Sequence, residues 1–150
     1  MDKMAALTSL KMLDGLTAEQ FSTLEQFTEV VNCTKDENLF KVGQAASQMY
    51  FLLDGKISVQ VQLSSRPETV SLVVLANPGQ LVGWSGLIEE AHYTATGLCM
   101  GDSQLLAIDG KQFMTLLEEH PKAGFAIMRR ISLVISGRMR NLQSVVLKTM

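Results

Sequence analysis

Between residues 28 and 108 the apolar side chains stop recurring at helical spacing and alternate instead, in short runs cut by turn residues. The runs are 30–31, 39–40, 49–53, 57–63, 70–75 and 93–99. A strand sends successive side chains to opposite faces, so runs of this length predict strands bounded by turns. Asp54-Gly55 predicts a tight hairpin, because that pair accepts the positive φ such a turn needs. Asn77-Pro78-Gly79 predicts a second turn, and Ser64-Ser65-Arg66-Pro67 a loop. Many short strands with regular turns predict an antiparallel barrel or jelly roll.

Both flanks are helical in pattern. Residues 5–13 are apolar and end at Asp14-Gly15. Thr17 and Gln20 have the spacing of a capping box, with Leu16 and Phe21 as its hydrophobic staple, which predicts a helix over 18–27. Asp109 and Gln112 repeat the box, and Ile108 and Phe113 the staple. Pro121 suits a first helical turn, and the chain runs on to about residue 147 with Gly124 and Gly137 as its only breakers. At 1.5 Å per residue that helix is roughly 40 Å long, more than a core of this size needs to be covered. Met128, Ile131, Ile135, Leu142 and Val145 fall on one side, with Ile127 and Val134 beside them. The stripe predicts a homodimer paired through this helix; packing on the barrel alone is the other outcome.

A length of 150 residues fits one domain, and 47 % hydrophobic against 19 % charged residues excludes a disordered chain. The longest uncharged stretch, 69–88, is broken by proline and glycines, so no membrane span is expected. The opening residues show no secretory pattern, so the expected location is cytoplasmic. Cys33 and Cys99 each lie in an apolar run and are expected as buried free thiols. Two cysteines and two distant histidines at no ligand spacing give no metal site. Charge is uneven: residues 121–150 carry six basic and no acidic side chains, while the rest carry seven basic and fifteen acidic ones. This reads as a solvated helix face, or a helix docked on an acidic body, rather than a nucleic-acid surface.

Residues 83–96 read Gly-Trp-Ser-Gly-Leu-Ile-Glu-Glu-Ala-His-Tyr-Thr-Ala-Thr. Two glycines bracket Trp84 and Ser85, and a short apolar turn, an acidic bend and a strand follow. That order predicts a one-turn helix with free N–H groups at its start, facing a strand that returns polar side chains, which together suit an anion. His92, beside Glu89 and Glu90, reads as a surface residue. No nucleophile–base arrangement and no paired carboxylates are evident, so no catalysis is expected.

The stretch resembles the phosphate-binding cassette of cyclic-nucleotide-binding domains in the catabolite activator protein superfamily. Phe40, Gly43, Tyr50, Leu52 and Gly55 match the approach; Gly79, Val82-Gly83 and Gly86-Leu87 match the cassette; residues 106–108, Phe113, Leu116 and Pro121 match the exit. The resemblance implies a mainly β fold with flanking helices. N-terminal helices and an antiparallel barrel or jelly roll would occupy 1–120, and a long C-terminal helix of the same domain 121–150; the DNA-binding helix-turn-helix that usually follows in the superfamily is not expected in these 150 residues. It implies a ligand site at Gly83, Trp84, Ser85, Gly86, Leu87, Tyr93, Thr94 and Ala95, with the N–H groups of Ser85, Gly86 and Leu87 on a phosphate. Polar residues near Asn141, Gln143 and Ser144 would reach the base. The ligand would be a cyclic nucleotide, cAMP or cGMP, or another small anion, and the output would pass through the last helix. The chain departs from the pattern twice: Trp84 stands where the family has a Glu for the ribose, and Tyr93 where it has an Arg for the phosphate. No lysine or arginine lies between Pro67 and Gly110, so the segment brings no counter-ion of its own. The alternative is a ligand-free interaction module, its pocket filled by Trp84 and Tyr93 and its basic helix bound to a protein partner. Gly86→Val is expected to abolish ligand binding with the fold intact.

Overall fold

The computed structural model describes residues 2–62 and 68–149. The loop expected at 64–67, and residue 63 at the end of a predicted strand, lie outside the described residues. Helix α1 (Lys3–Thr8), a 3-10 turn (Lys11–Leu13) and α2 (Ala18–Glu25) precede the strands. These are β1 (Thr28–Cys33), β2 (Asn38–Phe40), β3 (Gln48–Asp54), β4 (Ile57–Gln62), β5 (Thr69–Leu75), β6 (Leu81–Val82), β7 (Thr96–Cys99) and β8 (Ser103–Asp109). A second 3-10 turn (Trp84–Leu87) lies between β6 and β7, and α3 (Gly110–Glu119) and α4 (Pro121–Thr149) close the chain. The strands form two four-stranded antiparallel sheets, β1-β8-β3-β6 and β2-β7-β4-β5, in a jelly roll flanked by helices.

The caps behave as their sequences dictate. Thr17 Oγ1 accepts from the Gln20 N–H at 3.2 Å, and Gln20 Oε1 accepts from the Thr17 N–H at 2.9 Å, closing a full capping box. Asp109 caps α3 through the Gln112 N–H at 2.9 Å. Its own N–H, however, donates to the Phe27 carbonyl at 3.1 Å, so the second half of that box is replaced by a tie to the end of α2. Helix α1 stops at Thr8, where the Thr8 and Ser9 hydroxyls donate back to carbonyls of the preceding turn.

Three expectations are corrected. The Asp54-Gly55 turn does not close a hairpin: β3 pairs with β6 and β8, β4 with β5 and β7, and the turn carries the chain from one sheet to the other. The strand expected over 93–99 begins only at Thr96, because the backbone of Tyr93 is bonded to the loop before β3, with its N–H on the Gln44 carbonyl and its own carbonyl accepting from Gly43. Cys33 and Cys99 are not free thiols but a disulfide, joining β1 of one sheet to β7 of the other with Cα atoms 6.3 Å apart. Both point into the space between the sheets, a proximity invisible in residues 66 positions apart.

Two cores result. Met49, Phe51, Leu106 and Ile108 face the helices, packing with Leu7, Leu13, Phe113, Ile127 and Ile131. Tyr50, Leu52, Leu105 and Ala107 face the other way, between the sheets, with Phe40, Ile57, Leu75, Val82 and Tyr93. Strands β3 and β8 are therefore buried on both faces. The first half of α4 lies on the body, with Ile127 and Ile131 fully buried. Gly124 sits so close to α3 that a Cβ there would lie 2.5 Å from the Leu117 carbonyl oxygen. Arg130 Nη1 donates to the carbonyls of Met12 at 3.0 Å and Asp14 at 2.7 Å. Further along, Met139, Leu142 and Leu147 are exposed. Among the described residues no helix is long and apolar enough to cross a membrane.

Candidate functional site

Strand β6 delivers the chain to Gly83, whose φ of 78° is left-handed and whose missing Cβ would lie 3.2 Å from the rings of Phe40 and Tyr50. Only glycine meets both demands. The 3-10 turn then carries Trp84, half-buried, and Ser85, buried. The Gly86 N–H, expected free for an anion, donates to the Gly83 carbonyl at 3.1 Å within the turn. A Cβ on Gly86 would stand 2.3 Å from the Gln48 carbonyl oxygen, and one on Gly110 would stand 1.7 Å from the Gly86 carbonyl oxygen. Gly86 is thus a main-chain packing position. Gly86→Val would force the turn away from the β3 backbone at Gln48, so the fold is not expected to stay intact.

Tyr93 returns to the site from the far side of the loop. Its ring stacks on Phe40 at 4.3 Å between centroids, and its hydroxyl donates to the Gln48 carbonyl at 2.6 Å. Burial pushes this phenol above its ordinary pKa, and pushes that of Tyr50 higher still. Tyr93 is accordingly neutral, with its donor already engaged in the core. Thr94 is exposed and Ala95 half-buried. Thr96 Oγ1 accepts from the Val42 N–H at 3.0 Å and so holds the loop.

Six of the eight expected site residues, Gly83, Trp84, Ser85, Tyr93, Thr94 and Ala95, line one cavity of about 30 Å³. Gly86 and Leu87 line a different one, of about 520 Å³, whose wall includes Glu89, Glu90, Asp109 and Glu118. Asn141 is half-buried on a groove of about 490 Å³ against β5 and β6, whereas Gln143 and Ser144 are exposed. His92 is exposed and makes an isolated bridge to Ala45. No His, Cys, Asp or Glu cluster suited to a metal occurs among the described residues.

The residue that sequence reasoning missed is Arg138, on α4. Its guanidinium carbon lies 5.2 Å from the centroid of the Trp84 ring, and Nη2 donates to the Leu81 carbonyl. Its Nη1 is buried and has no hydrogen-bond partner among the described residues. Burial lowers its pKa to about 10, which still leaves it charged near neutrality. Among the described residues it is the one charged side chain lining the 30 Å³ cavity. The signal was present: position 138 falls four after Val134 and seven after Ile131, on the stripe that faces the body. Counting it with the solvated basic face hid it.

The model of the cyclic nucleotide-binding domain matches residues 30–120. The chain belongs to the cyclic nucleotide-binding domain family. A protein named as a potassium channel of Rhodopseudomonas palustris is 25 % identical over 132 residues, covering 87 % of this chain and 30 % of that protein. The cyclic AMP receptor protein of Thermus thermophilus is 20 % identical over 130 residues, covering 86 % and 57 %. The chain thus spans a third to just over half of these two curated relatives. The sensor domain of the transcriptional regulator DNR from Pseudomonas aeruginosa superposes with a TM-score of 0.76 at 20 % identity, covering 91 % of each chain. That likeness speaks for the fold. The turn at Trp84–Leu87 and Tyr93 both lie within the matched residues.

Proposed function

We propose that this chain is a non-enzymatic regulatory domain that binds a small anionic ligand at the cassette and signals through α4. The ligand class is a cyclic nucleotide, cAMP or cGMP, or another small anion, held by Gly83, Trp84, Ser85, Tyr93, Thr94 and Ala95, with Gly86 and Leu87 forming the turn. The carrying observation is that α4 lays Arg138 directly over the cassette residue Trp84. A change at the cassette therefore has a physical contact through which to reach the helix. Relatives named as a cyclic AMP receptor and a sensor domain support the same reading. The reading is of a homodimer paired along α4, with a protein partner downstream.

One observation favours the ligand-free interaction module. The cavity holds about 30 Å³, whereas drug-sized ligands occupy pockets of about 300 Å³ or more. The Tyr93 hydroxyl is also engaged internally. Isothermal titration calorimetry with cAMP and cGMP, beside a thermal-shift screen of other anions, separates the two. Saturable micromolar binding is expected for the sensor. No binding up to millimolar concentrations of any of them would leave the module.

A further inference from the structure

A guanidinium presents five N–H donors in a planar fork and remains protonated near neutral pH. In Arg138 one nitrogen donates to the Leu81 carbonyl, the Trp84 ring lies beside it, and Nη1 is buried without a partner. Burial alone lowers its pKa, with no carboxylate offsetting the loss of water. A half-buried cation that is partly dehydrated and keeps an open donor gains from an anion that supplies both charge and acceptors. The cassette segment contributes no lysine or arginine to meet such an anion. Arg138 also lines both the 30 Å³ cavity and the 490 Å³ groove, so it stands between a space too small for a nucleotide and one large enough for it.

We propose that Arg138 is the anion-binding residue of the cassette, pairing from α4 with the phosphate-type group of the ligand beside Ser85 and Thr94. The proposal rests on the reading of the cassette as a ligand site. The counter-ion is delivered by the helix instead of the cassette strand, so binding the anion and positioning α4 are one event. A phosphodiester or a free phosphate offers the same chemistry: a delocalised negative charge with acceptors matched to the fork.

The test is calorimetric titration of the wild-type chain, Arg138→Gln and Arg138→Lys with cAMP and, separately, with inorganic phosphate. Thermal melts check that each variant folds. The expected result is a 10- to 100-fold loss of affinity in Arg138→Gln, as for a charge-assisted hydrogen bond, with partial recovery in Arg138→Lys. Wild-type affinity should also fall as sodium chloride rises, a readout that needs no variant. Fluorescence of Trp84, the sole tryptophan, should change on titration because the cation beside it is re-paired. Equal cAMP binding by wild type and Arg138→Gln would overturn this proposal while leaving the sensor reading intact. Arg138-dependent binding of phosphate without cAMP would uphold it and remove the nucleotide. Binding of neither probe by the wild type would overturn it, and the sensor reading falls with it only when cGMP and the anion screen are negative too.

Discussion

Tyr93 shows how one substitution at a binding position changes the chemistry available there. A phenol in that place stacks on Phe40 and donates to Gln48, so it stabilises the core between the sheets. Tyr93→Phe would leave the Gln48 carbonyl short of its donor and is expected to cost about 1–3 kcal/mol, measurable by urea unfolding. The pH dependence follows from burial of the two phenols. With folded pKa values raised above the ordinary 10, the native state keeps protons that the unfolded chain releases. Their contribution is fully present below pH 10 and declines as pH rises beyond it. The lowered pKa of Arg138 acts in the opposite sense above about pH 10, since there the unfolded chain holds that proton more tightly. This arginine is common to wild type and Tyr93→Phe, so the variant should show a shallower loss of stability above pH 10. Equal slopes in the two proteins would contradict it.

Among the elements, α4 divides into a docked half and a projecting half. Met128, Ile131 and Ile135, taken in sequence as part of a dimer stripe, pack instead against the body. The pairing surface expected of a homodimer is left to the exposed Met139 and Leu142. Changing both to Glu should convert a dimer to a monomer in light scattering after size exclusion, with the melting temperature of the body little changed. A wild-type monomer at high micromolar concentration would remove the dimer. Elements with one wet face, such as β5, and elements with explicit caps, such as α2, were legible in the sequence, because alternation and capping are local signals. Strand β8 was not, since Leu105, Leu106, Ala107 and Ile108 are all buried and no alternation survives. Strand β6 has two residues and no period to read. At the site, the turn around Gly83 and Gly86 was legible from its glycines, but Arg138 lies 54 residues from Trp84 in sequence, and only the docking of α4 unites them.

For the molecule as a whole, the Cys33–Cys99 bridge ties the two sheets across a loop of 66 residues. Chain-entropy reasoning assigns a loop of that size roughly 4 kcal/mol of stabilisation. Reduction, or the paired replacement of both cysteines by Ala, should therefore lower the melting temperature by about ten degrees. Labelling of free thiols in the unfolded, unreduced protein checks the bridge directly; two labelled cysteines would disprove it. The bridge belongs to the same between-sheet core as Phe40, Val59 and Tyr93, so its loss is expected to weaken the sandwich that carries the cavity.

Gly110 and Gly124 give the cassette a mechanical character. The backbone of Gly86 rests on Gln48, Gly110 at the start of α3 rests on Gly86, and Gly124 near the start of α4 rests on Leu117 of α3. Bare main chain meets main chain at each joint, with no rotatable side chain between to absorb a displacement. Under the sensor reading, a shift of the turn at Trp84 would meet main chain at each joint, with no side chain to absorb it.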